Sequence, residues 1–301
     1  MSNASAFAPG HISGFFQVCD EHEDFARIGS RNCGPSISSG VLTEVETIED
    51  ESGIDIYVDE EKVEVKTTQT AVKSALKIGG VEARVKVSHS LQAPIGAGYG
   101  LSGAGAIGAV MALSEAMDLR FSFNQISEIA HKAEVACKTG LGDVGPQMIG
   151  GLVISKEPGS APYGEWIKIR VPEDLHAVCG TWGTISTFDF LNKPKLKDRS
   201  RELGEDALKD LMKNQTPEDF MRVSLEFAKN MGVLNNEVIK VLENLSSETP
   251  MGASAVMLGK AVFALAKKSE IEDVKSEFLN YFDSESIIVT PIDFQGARVL
   301  D

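Results

Sequence analysis

A glycine-rich segment that runs directly into an apolar helical pattern constrains this chain more than any other feature. Four glycines fall within residues 96–103, in the sequence Pro94-Ile95-Gly96-Ala97-Gly98-Tyr99-Gly100-Leu101-Ser102-Gly103-Ala104. Glycine lets the backbone approach a ligand closely, and the unpaired N–H groups and positive dipole end of the following helix favour an anion. The segment therefore predicts a binding site for a phosphate group.

Two well-known phosphate-binding patterns do not explain this segment. Gly98, Gly100 and Gly103 match the dinucleotide fingerprint G-x-G-x-x-G, which also requires a parallel strand after the helix with an acidic residue about 20 positions on. Here a second helical pattern follows the first, so the dinucleotide interpretation fails. The P-loop pattern G-x-x-x-x-G-K-[ST] is absent from the sequence.

Two other interpretations stay open on the residues alone. Ser102, Asp143 and His176 occur in the order of a hydrolase triad, although Ala104 stands where the G-x-S-x-G turn has glycine. The segment could also be a turn that binds nothing. Three glycines in the first two turns of the helix argue against a turn without a ligand, because each costs the helix about 1 kcal/mol relative to alanine. They are Gly103, Gly105 and Gly108.

Two carboxylates downstream of the glycine-rich segment are candidates for chemistry. Glu134 borders the apolar stripe of the second helix, where a carboxylate is costly unless it meets a partner or a metal. His131, one turn earlier, lies at the edge of the same face, and by itself it is more typical of a capping or core histidine. Asp143 stands among glycines, which is usual for a turn. Glu134 nine residues earlier and the Gly150-Gly151 pair after it favour a functional site instead.

The composition restricts the partners and the location that we expect. Lys and Arg number 29 against 44 Asp and Glu, a net charge of −15, which argues against nucleic-acid binding. No apolar run is long enough to span a membrane. The four cysteines form no C-x-x-C pair, which is typical of the reducing cytoplasm. We therefore expect a cytoplasmic protein without a nucleic-acid or membrane partner, and a homodimer stays open.

Hydrophobic periodicity predicts strands interleaved with helices along the chain. Strands are expected over 36–46, 54–65, 81–89, 151–155, 166–171, 176–181, 255–258, 287–289 and 297–300. Helices are expected over 68–76, from the glycine-rich segment to about 118, over 122–140 and over 216–232, with a glycine loop between 140 and 151. The prolines and glycines of 156–164 favour a boundary between domains over 1–160 and 161–301.

In combination, these residues resemble the GHMP small-molecule kinases. The resemblance rests on the Pro-x-x-x-Gly-x-Gly-x-Ser loop of residues 94–102, the helical Glu134, and Asp143 before Gly150-Gly151, in this order. Residues 8–12, Ala-Pro-Gly-His-Ile, resemble the first motif of the family, and residues 250–255 resemble its third. The phrases over 7–16, 29–34 and 98–105 are similar to a member that acts on a small hydroxy acid.

The resemblance implies a two-domain α+β fold and an ATP-dependent transfer of phosphate to an alcohol group. The N-terminal α/β domain would contain a left-handed βαβ unit, whereas periodicity alone predicts the usual right-handed crossover. The C-terminal domain would be a ferredoxin-like α+β domain. The active site would lie in the cleft between the two domains.

The resemblance also implies roles for individual residues. Ser102 and Glu134 would bind Mg²⁺ between the β- and γ-phosphates of ATP, and Asp143 would orient the acceptor hydroxyl and accept its proton. The residues expected at the ATP phosphates are Pro94, Gly96, Ala97, Gly98, Gly100, Ser102, Gly103 and Ala104. The candidates for binding the acceptor's carboxylate are Ser30, Arg31, His131 and Lys156.

Two positions depart from the family pattern. Leu101 precedes Ser102 where most members have a pair of serines, which leaves one hydroxyl for the metal. His11 stands where lysine or arginine is common in the first motif, so the group that takes over the role of that cation is not evident from the sequence. Acceptors of the homoserine, shikimate or mevalonate type stay open, as does a non-catalytic nucleotide-binding regulator.

Overall fold

The computed structural model describes residues 2–49, 51–183 and 193–300. Its larger sheet has nine strands, which pair along the path β13-β1-β3-β6-β4-β5, with β2 and β7 on β3 and β8 on β7. The strands are β1 (Ser2–His11), β2 (Phe15–Cys19), β3 (Gly29–Glu49), β4 (Gly53–Val58), β5 (Glu61–Lys62), β6 (Ala83–Leu91), β7 (Leu152–Glu157), β8 (Glu165–Ile169) and β13 (Arg298–Leu300). The long β3 joins two parts of the sheet, because its first residues pair with β2 and β7 and its later residues with β1 and β6.

Four helices belong to this N-terminal part of the chain. They are α1 (Lys66–Gly79), α2 (Leu101–Ala116), α3 (Phe123–Cys137) and α4 (Val144–Ile149). Helix α2 packs on β1 and β3, and its side is covered by α1 and α3, so residues 103–114 are all buried. Strands β4 and β6 pair in parallel with α1 as the crossover between them. The hand of that crossover stays a prediction.

The smaller sheet is antiparallel and has the order β10-β11-β9-β12. Its strands are β9 (Leu175–Gly183), β10 (Ala253–Val256), β11 (Lys260–Lys267) and β12 (Ile287–Pro291). Among the described residues, three helices lie between β9 and β10, and a fourth lies between β11 and β12: α5 (Pro194–Leu211), α6 (Pro217–Asn230), α7 (Asn236–Glu248) and α8 (Ile271–Phe278). Short 3₁₀ turns lie at Lys268–Glu270 and Ser284–Ser286. This strand order is that of a ferredoxin-like domain, and the expected α+β class is confirmed.

Two predicted helix starts are confirmed, and two predicted elements differ from the structure. The Ser122–Gln125 capping box forms as predicted, and Thr216 caps α6 with proline in its first turn. The strand predicted over 54–65 is instead two strands, because Asp59 and Glu60 turn the chain with positive φ. The loop predicted between 140 and 151 contains the short helix α4.

The expected domain boundary near residue 160 stays a prediction. Strands β7 and β8 pair across it as a hairpin, and β13 returns from the end of the chain to pair with β1. The C-terminal part of the chain therefore supplies an edge strand to the larger sheet. Among the described residues, no helix is long and apolar enough to cross a membrane.

Candidate active site

A cleft of about 260 Å³ lies where the two sheets meet. The glycine-rich segment, the start of β3 and the α3–α4 connection form its N-terminal walls, and the turn between β10 and β11 closes it from the C-terminal side. Gly98 shows how closely these parts approach, since its φ is +90° and a Cβ there would lie 2.7 Å from Val256 Cγ1. The position of the cleft agrees with the expected site between two domains.

The glycine-rich segment presents the N-terminus of α2 to this cleft. Gly100 precedes the helix with φ +65° and no side chain caps it, so the first-turn N–H groups are left for a ligand. Gln147 of α4 fixes the turn by donating from Nε2 to the Gly100 carbonyl at 2.8 Å. This arrangement is what an anion-binding helix terminus requires.

The residues expected at the ATP phosphates divide into two groups. Five line the cleft: Pro94, Gly96, Gly98, Gly100 and Ser102. Ala97, Gly103 and Ala104 are buried behind it. The Ala104 N–H already donates to the Gly100 carbonyl at 3.1 Å, so it is not a free donor for phosphate in this structure.

Glu134 lies beside Ser102, as the resemblance implied. Its Oε1 accepts hydrogen bonds from Ser102 Oγ at 2.6 Å and from Thr139 Oγ1 at 2.6 Å, and its side chain is 2% exposed. Burial raises the pKa of Glu134 to about 7, although the two hydroxyl groups oppose that shift. Gly140 makes room for the carboxylate, because a Cβ there would lie 2.0 Å from Glu134 Oε2. A carboxylate and a hydroxyl oxygen are donors that suit Mg²⁺, so the residues present fit that ion.

Asp143 lines the same cleft and is held by a buried histidine. His11 Nδ1 lies 2.8 Å from Asp143 Oδ1, and the His11 side chain is fully buried. A carboxylate oxygen accepts, so Nδ1 is the donor in this pair. The backbone N–H of His11 also donates to the Tyr99 carbonyl of the glycine-rich segment at 2.9 Å. His11 thus contacts the predicted base directly, at the motif position where family members commonly have a cation.

The four candidates for acceptor binding are placed differently from one another. Ser30 lines the cleft. Arg31 donates instead to Glu157 and to the Lys156 carbonyl, and the Lys156 ammonium pairs with Glu165 on the surface. Their side chains face away from the cleft because residues alternate along β3 and β7. This geometry does not support direct substrate contact by Arg31 or Lys156.

His131 also lies outside the cleft lining. Its Nε2 donates to the Ile28 carbonyl at 2.7 Å, just before β3 begins, and burial lowers the pKa of its imidazole. A neutral His131 therefore positions the start of β3, which carries Ser30. Contact of His131 with a substrate stays a prediction that this geometry does not support.

Three residues of the site were missed as functional residues by sequence reasoning. Thr139 completes the hydrogen bonds to Glu134, Gln147 anchors Gly100, and Asn32 lines the cleft with its Nδ2 donating to the Gly142 carbonyl. Gln147 lies within the glycine loop between 140 and 151, and Asn32 lies within the 29–34 phrase, so both had a nearby signal in the sequence. Leu101 is explained as well, because it packs against both hydrophobic core clusters at their junction.

The hydrolase alternative is not supported by the structure. Ser102 donates to Glu134 rather than to a histidine, and His176 lies on β9 with its Nδ1 against the Asp174 carbonyl. His176 is absent from the cleft lining, so no nucleophile–base pair is formed with Ser102.

Comparison with known proteins agrees with the class that the fold and site define. The family model "GHMP kinases N terminal domain" matches residues 65–151, which include the glycine-rich segment, Glu134 and Asp143. A solved structure described as a phosphotransferase related to the CoA biosynthesis pathway superposes with a TM-score of 0.87 at 26% identity, covering 99% of this chain and 98% of that one. The chain belongs to the GHMP kinase family.

Within this family, the chain is similar to pantoate kinases along most of its length. It is 34% identical over 274 residues to the pantoate kinase of Methanocaldococcus jannaschii, covering 91% of this chain and 97% of that protein. It is 32% identical to the pantoate kinase of Thermococcus kodakarensis, covering 90% of each chain.

Proposed function

We propose that this protein is an ATP-dependent kinase that phosphorylates the 4-hydroxyl group of pantoate and supplies 4-phosphopantoate for coenzyme A biosynthesis. The similarity to the pantoate kinases over nine-tenths of the chain carries the choice of acceptor. It agrees with the phrases over 7–16, 29–34 and 98–105, which resemble that enzyme in particular. The free state of all four cysteines fits a cytoplasmic enzyme.

The N-terminus of α2 would receive the phosphates of ATP, with N–H groups and the helix dipole opposite their charge. Ser102 Oγ and Glu134 would hold Mg²⁺, and when bound the ion would neutralise charge on the β- and γ-phosphates. Within the described residues no three His, Cys, Asp or Glu side chains form a metal cluster, so the remaining ligands would come from phosphate and water.

Asp143 would orient the acceptor hydroxyl and take its proton during transfer. Phosphoryl transfer requires mainly positioning and charge neutralisation, so a base that is held in place is sufficient. The His11 imidazole would provide that positioning, since its Nδ1–H occupies Asp143 Oδ1 and leaves Oδ2 for the acceptor. Ser30 lines the cleft, and it would bind the acceptor's carboxylate.

The experiment that tests this function is a comparison of acceptors. ADP formation is measured with the purified protein, ATP and Mg²⁺, and with pantoate, homoserine, mevalonate or shikimate offered in parallel. We expect pantoate to give the highest kcat/KM. Turnover of another acceptor instead of pantoate would keep the kinase class and refute the substrate, whereas ATP binding without turnover of any acceptor would favour the regulator alternative.

A further inference from the structure

Asn32 has one buried polar atom that the protein itself does not satisfy. Its side chain lines the cleft and is 1% exposed, and its Nδ2 donates to the Gly142 carbonyl at 3.1 Å. A carbonyl can only accept, so this bond fixes the orientation of the amide and leaves Oδ1 as an acceptor. That Oδ1 has no hydrogen-bond partner among the described residues.

The surroundings of Asn32 bring its side-chain amide against the segment that carries the predicted base. The Gly142 carbonyl that Asn32 holds immediately precedes Asp143, and Ser30 Oγ lies 3.4 Å from Asn32 Nδ2. A Cβ at residue 142 would lie 2.4 Å from Asn32 Nδ2, so the amide packs directly against this segment. A ligand group that satisfies Oδ1 would therefore be bound close to the reacting hydroxyl.

The chemistry of the acceptor atom restricts which group can bind there. Carboxylate and phosphate oxygens cannot donate a proton, so neither satisfies an amide oxygen. A hydroxyl group can, and pantoate (2,4-dihydroxy-3,3-dimethylbutanoate) has two of them. In the proposed function, Asp143 orients the 4-hydroxyl group. The 2-hydroxyl group lies close to it, because only one carbon, C3, separates the carbon atoms that carry the two hydroxyls.

We propose that Asn32 Oδ1 accepts a hydrogen bond from the 2-hydroxyl group of pantoate and thereby selects 2-hydroxy acids as acceptors. The proposal rests on the proposed function and adds the substrate group that the cleft recognises. Sites built to bind a substrate hydroxyl reject analogues without it, because the buried partner is then left unpaired.

The test compares pantoate with 4-hydroxy-3,3-dimethylbutanoate, which lacks the 2-hydroxyl but keeps the reacting one. For the wild-type protein we expect kcat/KM to be roughly 10- to 100-fold higher with pantoate. Asn32→Ala should bring this ratio close to one, because it removes the acceptor that the 2-hydroxyl would bind. Ser30→Ala is the matched control, because it should lower kcat/KM by the same factor for both substrates and leave the ratio unchanged.

The ratio separates recognition from a merely structural role of Asn32, which would lower both rates together. A wild-type ratio near one would overturn the proposal and indicate that a buried water binds Oδ1 instead. This part of the test uses the wild-type protein alone, so it does not depend on a variant that folds. A high ratio that survives Asn32→Ala would overturn it as well. Absence of turnover with pantoate would refute the proposed function and this inference with it, a result distinct from turnover without discrimination.

Discussion

His11 Nδ1 lies 2.8 Å from Asp143 Oδ1, although the two residues are 132 positions apart in the chain. The contact joins the end of β1 to the segment before α4 and is shielded from water on the His11 side. His11 Nε2 has no partner among the described residues, so the ring has one oriented interaction, and that interaction is with the predicted base.

Replacement of His11 should lower the rate of phosphoryl transfer more than it lowers substrate binding. Loss of the hydrogen bond in His11→Ala leaves Asp143 free to rotate, so we expect kcat to fall roughly 10- to 100-fold with a small change in the KM for pantoate. His11→Asn should recover part of kcat, because its Nδ2 can donate from nearly the same place. Steady-state kinetics of the three proteins measure this.

Two controls distinguish positioning of Asp143 from a general loss of structure. In an Asp143→Asn background the His11→Ala change should have little further effect on kcat, because its target is already disabled. His89 is another buried histidine, bonded to Thr43 and Thr68, and His89→Asn should lower stability without a comparable loss of kcat. Additive effects of the His11 and Asp143 substitutions would contradict the positioning role.

Glu134 should make the metal-free protein less stable as the pH rises. Its folded pKa of about 7 lies above the ordinary value of 4.5, so the folded state binds a proton more tightly than the unfolded state. The free energy of unfolding should therefore fall between about pH 4.5 and 7 and stay reduced above that range.

Glu134→Gln should remove this dependence, because it keeps an acceptor for Ser102 and Thr139 without the buried charge. In EDTA at pH 8, we expect the variant to be more stable than the wild type by up to about 3 kcal/mol, with the difference disappearing below about pH 4.5. Denaturant unfolding across this pH range measures it. Parallel curves for the two proteins would argue against a buried Glu134 carboxyl group with a raised pKa.

Gly105 and Gly108 form a matched pair on α2 with opposite expected effects. A Cβ on Gly105 would meet His89 at 3.4 Å, which is ordinary contact, so Gly105→Ala should stabilise the protein by up to about 1 kcal/mol. A Cβ on Gly108 would lie 2.4 Å from Thr43 Oγ1, so Gly108→Ala should destabilise it by about 1–3 kcal/mol. Thermal unfolding of both variants tests the prediction, and equal shifts would contradict it.

Gly140→Ala should weaken the binding of Mg²⁺ and ATP. The added Cβ would lie 2.0 Å from Glu134 Oε2, so the carboxylate must shift from the position in which it accepts from Ser102. We expect the concentrations of Mg²⁺ and ATP needed for half-maximal rate to rise while the KM for pantoate changes little. Gly105→Ala serves as the control glycine substitution, and an unchanged Mg²⁺ requirement in Gly140→Ala would count against Glu134 as a ligand.

Local chemistry explains how much of this molecule could be predicted from its sequence. The α3 capping box, the α6 start and the alternation of β6 depend on neighbouring residues, and each was predicted correctly. Strand β1 was missed because Ala6, Ala8 and Gly10 have low strand propensity. It is formed by pairing with β3 and β13, partners that lie far away in the chain.

In the site, too, the features that depend on local sequence were predicted and those that depend on distant contacts were not. Ser102, Glu134 and Asp143 were recognised by motif and order, and the structure brings all three to one cleft. The contact of His11 with Asp143 could not be predicted, because no local pattern relates β1 to the segment before α4. The side chains of Arg31 and Lys156 were expected at the substrate, but the direction of a side chain on a strand depends on a register that spacing alone does not determine.

The central claim is tested most directly by identifying the phosphorylated product. The purified protein is incubated with ATP, Mg²⁺ and pantoate, and the reaction is followed by ³¹P NMR with Asp143→Asn as the comparison. We predict a new phosphomonoester signal split into a triplet by the two protons on C4, formed in step with ADP and nearly absent with Asp143→Asn. A doublet from phosphate on the 2-hydroxyl, or no new phosphomonoester at all, would contradict the account.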